Sequence, residues 1–185
     1  MTFHEKQTAV RIDVSRRNFV LASPFLLLGS NIGSAQANTR HTLTGPVLLT
    51  VDGDISKPNH GNTAIFDLAL LDGLPQSDFA TSTIWTQGIK KFSGPTFRGL
   101  LDYVGAGAGD IKANALNDYS LYMPRTDVTK DTPIIATRID GIPFSVREKG
   151  PLWIVFPYDR NPSFRTELIY AISVWQLEAL TIAPG

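Results

Sequence analysis

Two short polar segments carry the side chains best suited to bind a small molecule. Asn117 to Ser120 presents an amide, a carboxylate, a phenol and a hydroxyl in succession, so it offers both hydrogen-bond donors and acceptors. Arg147 and Lys149 precede Gly150-Pro151 and an apolar run, which places basic groups at the mouth of a predicted core strand. Such groups could hold an anionic or hydrogen-bond-rich ligand against a rigid sheet. The alternative is two ordinary solvated turns, since Asn-Asp pairs and charged residues are common in turns.

Other chemistries find little support in the sequence. The chain has no cysteine, which excludes disulfides, thiolate metal sites and cysteine nucleophiles. It shows no Ser-His-Asp set, no paired acid–base carboxylates and no HExxH motif, so a hydrolase is not supported. His60 has no neighbouring ligand at metal spacing, and we interpret it as a loop histidine. Seventeen basic and seventeen acidic residues cancel, so no overall field attracts nucleic acid or an acidic membrane surface.

The first 37 residues have the pattern of an export signal. Ser15 to Val20 matches the twin-arginine motif and leads into an apolar run that ends at Leu28. The run is too short to span a bilayer, and Ala35-Gln36-Ala37 supplies a small-x-small cleavage pattern. We therefore predict an export signal over residues 1–37, a mature domain over residues 38–185 and a periplasmic location. The alternative is a chance arginine pair before a buried helix.

The mature region predicts a single strand-rich α+β domain, without internal repeats or a boundary signal. Its clearest element is a helix that ends at Gly105 in a left-handed cap, with apolar residues at helical spacing: Phe97, Leu100, Leu101 and Val104. A short helix is predicted over residues 69–74. Strands are predicted over residues 43–55, 66–68, 77–84, 111–116, 134–139, 152–156 and 168–182. Trp175 is assigned to the core because it alternates with apolar neighbours.

The order and spacing of several motifs resemble the molybdopterin-binding domain of the sulfite-oxidase type. The matching stretches are Leu74 to Gln76, Phe92 to Ala106, Ala115 to Ser120, Ala136 to Pro157 and Ser173 to Ile182. The resemblance implies the mixed α+β fold of that domain and a pterin pocket. One departure matters most, because the family's metal-binding cysteine is absent and Ile84 and Trp85 stand near its position. Neither side chain can replace a thiolate donor to molybdenum.

The resemblance also implies a set of pterin-contacting residues: Trp85, Asn117, Asp118, Tyr119, Arg138, Arg147, Lys149 and Trp153. Asp118 is expected to accept hydrogen bonds from the 2-amino and N3-H edge of the pterin. Trp85 is expected to offer a stacking face, the alternative being plain core packing. The three basic residues come near one another if their strands pair, in the region that meets the pyranopterin and its phosphate in the resembled domain.

Three hypotheses for function follow from the resemblance. In the first, the chain binds a metal-free pterin and signals its occupancy to the periplasmic domain of a membrane receptor that controls cyclic-dinucleotide signalling. In the second, it is a molybdenum oxidoreductase with a ligand other than cysteine, and Ser82 or Thr83 lies near the right place. In the third, it binds no cofactor and keeps only the scaffold. The missing cysteine argues against the second hypothesis and against a bound molybdenum cofactor, and the retained polar and basic segments argue against the third.

Overall fold

The computed structural model describes residues 43–185, and the predicted export signal lies outside this range. Strands and short helices alternate along the described chain, and the strands form a five-stranded, a four-stranded and a two-stranded sheet. The α+β class predicted from the sequence is therefore confirmed at this level. Within the described range, no helix has both the length and the apolar character needed to cross a membrane.

The five-stranded sheet has the order β2-β1-β11-β5-β6. Its members are β1 (Leu49–Gly53), β2 (Ala64–Phe66), β5 (Ile111–Ala115), β6 (Ser120–Met123) and β11 (Leu177–Ile182). The pairing of β1 with β11 is parallel, and the other pairings are antiparallel. Alternate residues of β1 and β5 are buried, as expected for strands with one face on the core. The tight connection between β5 and β6 carries the polar segment that begins at Asn117.

The remaining strands form two further sheets. The four-stranded sheet has the order β3-β4-β8-β9, with β3 (Gln76–Ser82), β4 (Ile89–Pro95), β8 (Arg138–Ile139) and β9 (Ile142–Pro143). The two-stranded sheet pairs β7 (Ile134–Ala136) with β10 (Trp153–Val155). The single strand predicted over residues 134–139 is therefore wrong, because the chain changes sheets at this point. Strand β4 was not predicted.

A glycine explains how β4 and β7 can lie so close. A Cβ atom added to Gly94 would lie 2.1 Å from the carbonyl oxygen of Ile135, well inside van der Waals contact. Only glycine allows the two backbones to approach in this way. The backbone N–H of Thr137 then donates to the carbonyl of Ser93 at 2.9 Å, which ties the end of β7 to β4.

The α-helices of residues 43–185 are short: α1 (Leu68–Asp72), α2 (Phe97–Val104) and α3 (Glu167–Ile172). Helix α2 confirms the prediction in detail, since its apolar stripe is buried and Gly105 has the left-handed φ of 61°. Helix α3 corrects the first part of the strand or strands predicted over residues 168–182, and β11 confirms the last part. The side chain of Thr166 accepts a hydrogen bond from the backbone of Ile169 at 3.3 Å, and this N-cap starts a helix where a strand was expected.

Candidate functional site

A pocket of about 230 Å³ brings three of the predicted site residues together. It lies among the β3–β4 turn, the β5–β6 turn and the segment from α3 to β11, and it is lined by Trp85, Asn117, Tyr119, Tyr170, Ala171, Ser173, Val174 and Trp175. Pockets for drug-sized ligands have volumes of about 300–1,000 Å³. This smaller pocket therefore suits one flat ring system better than a whole extended cofactor.

Trp85 stands at the centre of an aromatic cluster that forms the back of the pocket. Its ring makes edge-to-face contacts with Trp153, Tyr158 and Tyr170, at centroid distances of 5.6, 6.2 and 5.7 Å. The backbone N–H of Trp85 donates to the hydroxyl of Thr83 at 3.0 Å, within the β3–β4 turn. Trp85 is only partly buried, so it packs against the core and lines the pocket at the same time.

The turn between β5 and β6 supplies the polar side of the pocket. The phenol of Tyr119 donates to the carbonyl oxygen of Ala171 at 3.3 Å, which links this turn to α3. The Oδ1 atom of Asn117 accepts from the backbone N–H of Tyr119 at 3.3 Å. The amide Nδ2 of Asn117 thereby remains available to donate to a ligand.

Asp118 does not line the pocket, although it lies between two residues that do. It is exposed, and its φ of 63° is in the left-handed region. Asp and Asn adopt this conformation more readily than most residues, so the turn itself accounts for an Asp at this position. The expected hydrogen bonds from a pterin to Asp118 therefore have no support in the geometry of the pocket.

Sequence reasoning missed the contribution of the segment from α3 to β11. Trp175 was assigned to the core, and it does pack against the core, but it is only partly buried and also lines the pocket. Its place on the pocket lining was missed because residues 167–172 form a helix, so alternation along residues 168–182 does not define an inner face. Thr166 followed by Glu167 is typical of a helix N-terminus, and this pattern in the sequence could have predicted α3.

The basic residues do not gather at the pocket. Lys149 comes nearest, with its ammonium 5.6 Å from the centroid of Trp175, a distance typical of a cation–π contact. Arg147 is exposed in a 3₁₀ turn over Val146–Glu148 and is not on the lining. Neither side chain is part of the pocket lining.

Arg138 is held at another place in the fold. Its guanidinium makes two parallel hydrogen bonds of 2.6 Å to the carboxylate of Asp72 at the end of α1. These hydrogen bonds raise the pKa of Arg138 above its usual value. The expected cluster of Arg138 with the other two basic residues is therefore not seen at the pocket, because Arg138 pairs with Asp72.

Trp153 is also outside the lining, since its side chain is fully buried. Its indole N–H donates to the carbonyl oxygen of Ser173 at 3.2 Å. Behind the pocket, the phenol of Tyr158 donates to the hydroxyl of Ser173, which donates in turn to the carbonyl of Ile169, both at 2.7 Å. Burial raises the pKa of Tyr158, so this phenol stays neutral. Trp153 can support a ligand only through the residues in front of it.

The pocket is polar only at a few points. None of its lining residues carries an ionised side chain, so the polar side-chain groups that can meet a ligand are the Asn117 amide and the Tyr170 hydroxyl, together with the Tyr119 oxygen as an acceptor, since its proton is donated to Ala171. Across residues 43–185, no group of three or more His, Asp or Glu side chains is placed to hold a metal ion. The arrangement is suited to bind an uncharged, flat ring with a hydrogen-bonding edge.

Comparisons with known protein families and with curated proteins gave no match to this chain. The resemblance to the sulfite-oxidase type therefore stays a prediction carried by the order of its motifs. The strand-rich α+β architecture is consistent with that prediction at the level of fold class.

Proposed function

We propose that the protein is a pterin-binding module that holds its ligand without molybdenum. The observation that carries this proposal is the small pocket with two partly buried indole rings, Trp85 and Trp175, among its lining residues. Aromatic faces bind flat heterocycles by stacking, at about 1–3 kcal/mol for each nucleobase-sized ring. A pterin is a bicycle of this kind.

The polar groups at the pocket also suit a pterin. The pyrimidine half of a pterin carries a ring carbonyl next to N–H donors, so it needs both a donor and an acceptor from the protein. The amide of Asn117 supplies a hydrogen-bond donor, and the hydroxyl of Tyr170 can donate or accept a hydrogen bond. The uncharged lining favours a neutral ring, since burying a charge without a partner is costly.

A molybdenum oxidoreductase with Ser82 or Thr83 as the metal ligand fits the geometry less well. The hydroxyl of Ser82 donates to Asp159 at 2.7 Å. The hydroxyl of Thr83 accepts from the backbone N–H groups of Trp85 and Thr86 at 3.0 and 2.9 Å. As an alkoxide ligand, Ser82 would lose the bond that it donates to Asp159 and would bring a second negative charge beside that carboxylate. The oxygen of Thr83 already accepts two backbone bonds, so a metal would have to share it with the β3–β4 turn.

We further propose that the mature chain acts in the periplasm and reports pterin occupancy to a membrane receptor of cyclic-dinucleotide control. The twin-arginine pattern supports the location, and the resemblance supports the partner. Large apolar side chains are exposed in the two elements that supply the pocket, with Leu116 at 46% and Tyr119 at 46% in the β5–β6 turn and Leu168 at 57% in α3. Exposed apolar groups of this kind are typical of protein interaction surfaces.

A fluorescence titration tests the proposed ligand. Wild-type protein should bind pterin, and Asn117→Ala should weaken binding by about three- to tenfold, because one neutral hydrogen bond contributes about 0.5–1.5 kcal/mol. Asp118→Asn is the matched control, since it lies in the same turn outside the lining and Asn tolerates its backbone conformation. It should bind like the wild type. If wild-type protein leaves pterin fluorescence unchanged at about 1 mM protein, a concentration that would detect even weak binding, the proposal is wrong.

A further inference from the structure

We infer that Asp159 is a positioning residue for the pocket, because its carboxylate fixes the turn that carries Trp85. Asp159 does not line the pocket, and no motif in the sequence singled it out. The effect of Asp159 on ligand affinity rests on the proposed function.

The carboxylate of Asp159 holds the end of β3 at two points. Its Oδ2 atom accepts from the backbone N–H of Ser82 at 2.6 Å, and its Oδ1 atom accepts from the Ser82 hydroxyl at 2.7 Å. In return, the backbone N–H of Asp159 donates to the hydroxyl of Thr81 at 3.0 Å. Ser82 is the last residue of β3 and precedes Trp85 by three positions, so these bonds fix the place where the turn begins.

The same segment holds the rings behind the turn. Tyr158, next to Asp159 in the chain, packs against Trp85 at 6.2 Å and against Tyr170 at 5.5 Å between ring centroids. Arg165 bonds to both Tyr158 and Asp159. Its Nε atom donates to the carbonyl of Tyr158 at 3.0 Å, and its Nη2 atom donates to the carboxylate of Asp159. The positions of Trp85 and Tyr170, both on the pocket lining, therefore depend on the carboxylate of Asp159.

The hydrogen bonds to Asp159 are of the strong, charge-assisted kind. The backbone and side chain of Ser82, followed by Arg165, lower the pKa of Asp159 below its usual value, so the carboxylate is ionised at neutral pH. Bonds to an ionised acceptor are roughly twice as strong as neutral ones. By contrast, the bonds that Thr83 makes lie inside the turn. Those bonds set the shape of the turn, whereas Asp159 sets where it lies.

The test uses the protein's own tryptophans as reporters. The chain has three tryptophans, so protein labelled with 5-fluorotryptophan gives three ¹⁹F resonances, and Trp85→Phe assigns that of Trp85. In ligand-free protein, Asp159→Asn should shift and broaden the Trp85 resonance more than the other two. In a titration, the same variant should bind pterin about tenfold more weakly, because binding must then also fix the turn that Asp159 no longer holds.

Asp140→Asn is the matched control. Asp140 also accepts from a backbone N–H, that of Lys91, and from a side chain, that of Lys90, both at 3.0 Å. It lies in the turn between β8 and β9 and is not part of the pocket lining. This variant should leave both the Trp85 resonance and the affinity for pterin unchanged.

Ser82→Ala removes one bond to Asp159 and keeps the other, so it tests the inference if Asp159→Asn does not fold. It should move the Trp85 resonance in the same direction by a smaller amount. An unmoved Trp85 resonance in the folded variants, or equal movement of all three resonances, would overturn the positioning role. Failure of wild-type protein to bind pterin would instead overturn the proposed function and leave the resonance test intact.

Discussion

Replacing Trp175 with alanine should weaken pterin binding by about five- to hundredfold, because loss of one stacking ring costs about 1–3 kcal/mol. Trp175 is partly buried, packs against the core and lines the pocket, so its removal takes away a wall of the site together with part of its packing. The unfolding midpoint of the ligand-free protein should also fall, so affinity is measured well below that midpoint, on folded protein. Pterin fluorescence titration and thermal unfolding of the same samples measure both quantities.

Two further variants make this result specific. Trp175→Phe keeps a flat ring and should retain most of the affinity. Leu101→Ala opens a cavity in the fully buried face of α2, away from the pocket lining. It should lower stability by about 2–5 kcal/mol without changing the affinity of the folded protein. If Trp175→Ala binds pterin as well as the wild type, the ligand does not occupy this pocket.

The double substitution Arg16→Lys with Arg17→Lys should abolish export of the protein. The export receptor recognises the guanidinium pair, and an ammonium group does not reproduce the planar geometry of a guanidinium. Immunoblots of cytoplasmic and periplasmic fractions should therefore show the precursor only in the cytoplasm. Arg11→Lys, a change of the same type upstream of the motif, should leave export unchanged. Undiminished periplasmic accumulation of the double variant would identify the segment as an ordinary secretory signal.

Local patterns predicted the elements that are stabilised locally. Helix α2 has both an apolar stripe and a terminal glycine, and β3 and β5 are bounded by turn signals in the sequence. Strand β4 was missed because its apolar pairing depends on two other strands. Phe92 of β4 lies opposite Phe79 of β3 on one side and Ile139 of β8 on the other. The break between β7 and β8 was missed because a run of β-branched residues does not show where a chain changes sheets.

Only part of the candidate site was predicted, because local patterns do not show contacts between distant parts of the chain. Trp85, Asn117 and Tyr119 were predicted to act together, and the structure places all three at one pocket. Arg138 was included in the candidate site, but it pairs with Asp72, a residue 66 positions away in the chain. Such a partner is decided by tertiary structure, and no local pattern shows it. Trp175 was excluded because its exposure depends on where α3 ends and β11 begins.

The most direct measurement is mass spectrometry of the small molecule released when protein purified from the periplasm is denatured, with metal analysis on the same sample. We expect a pterin, together with less than about a tenth of an equivalent of molybdenum, because the chain has no thiolate to hold the metal. Molybdenum at about one equivalent, in a protein that turns over a sulfite or sulfoxide substrate, would contradict the account. So would a released ligand that is not a pterin.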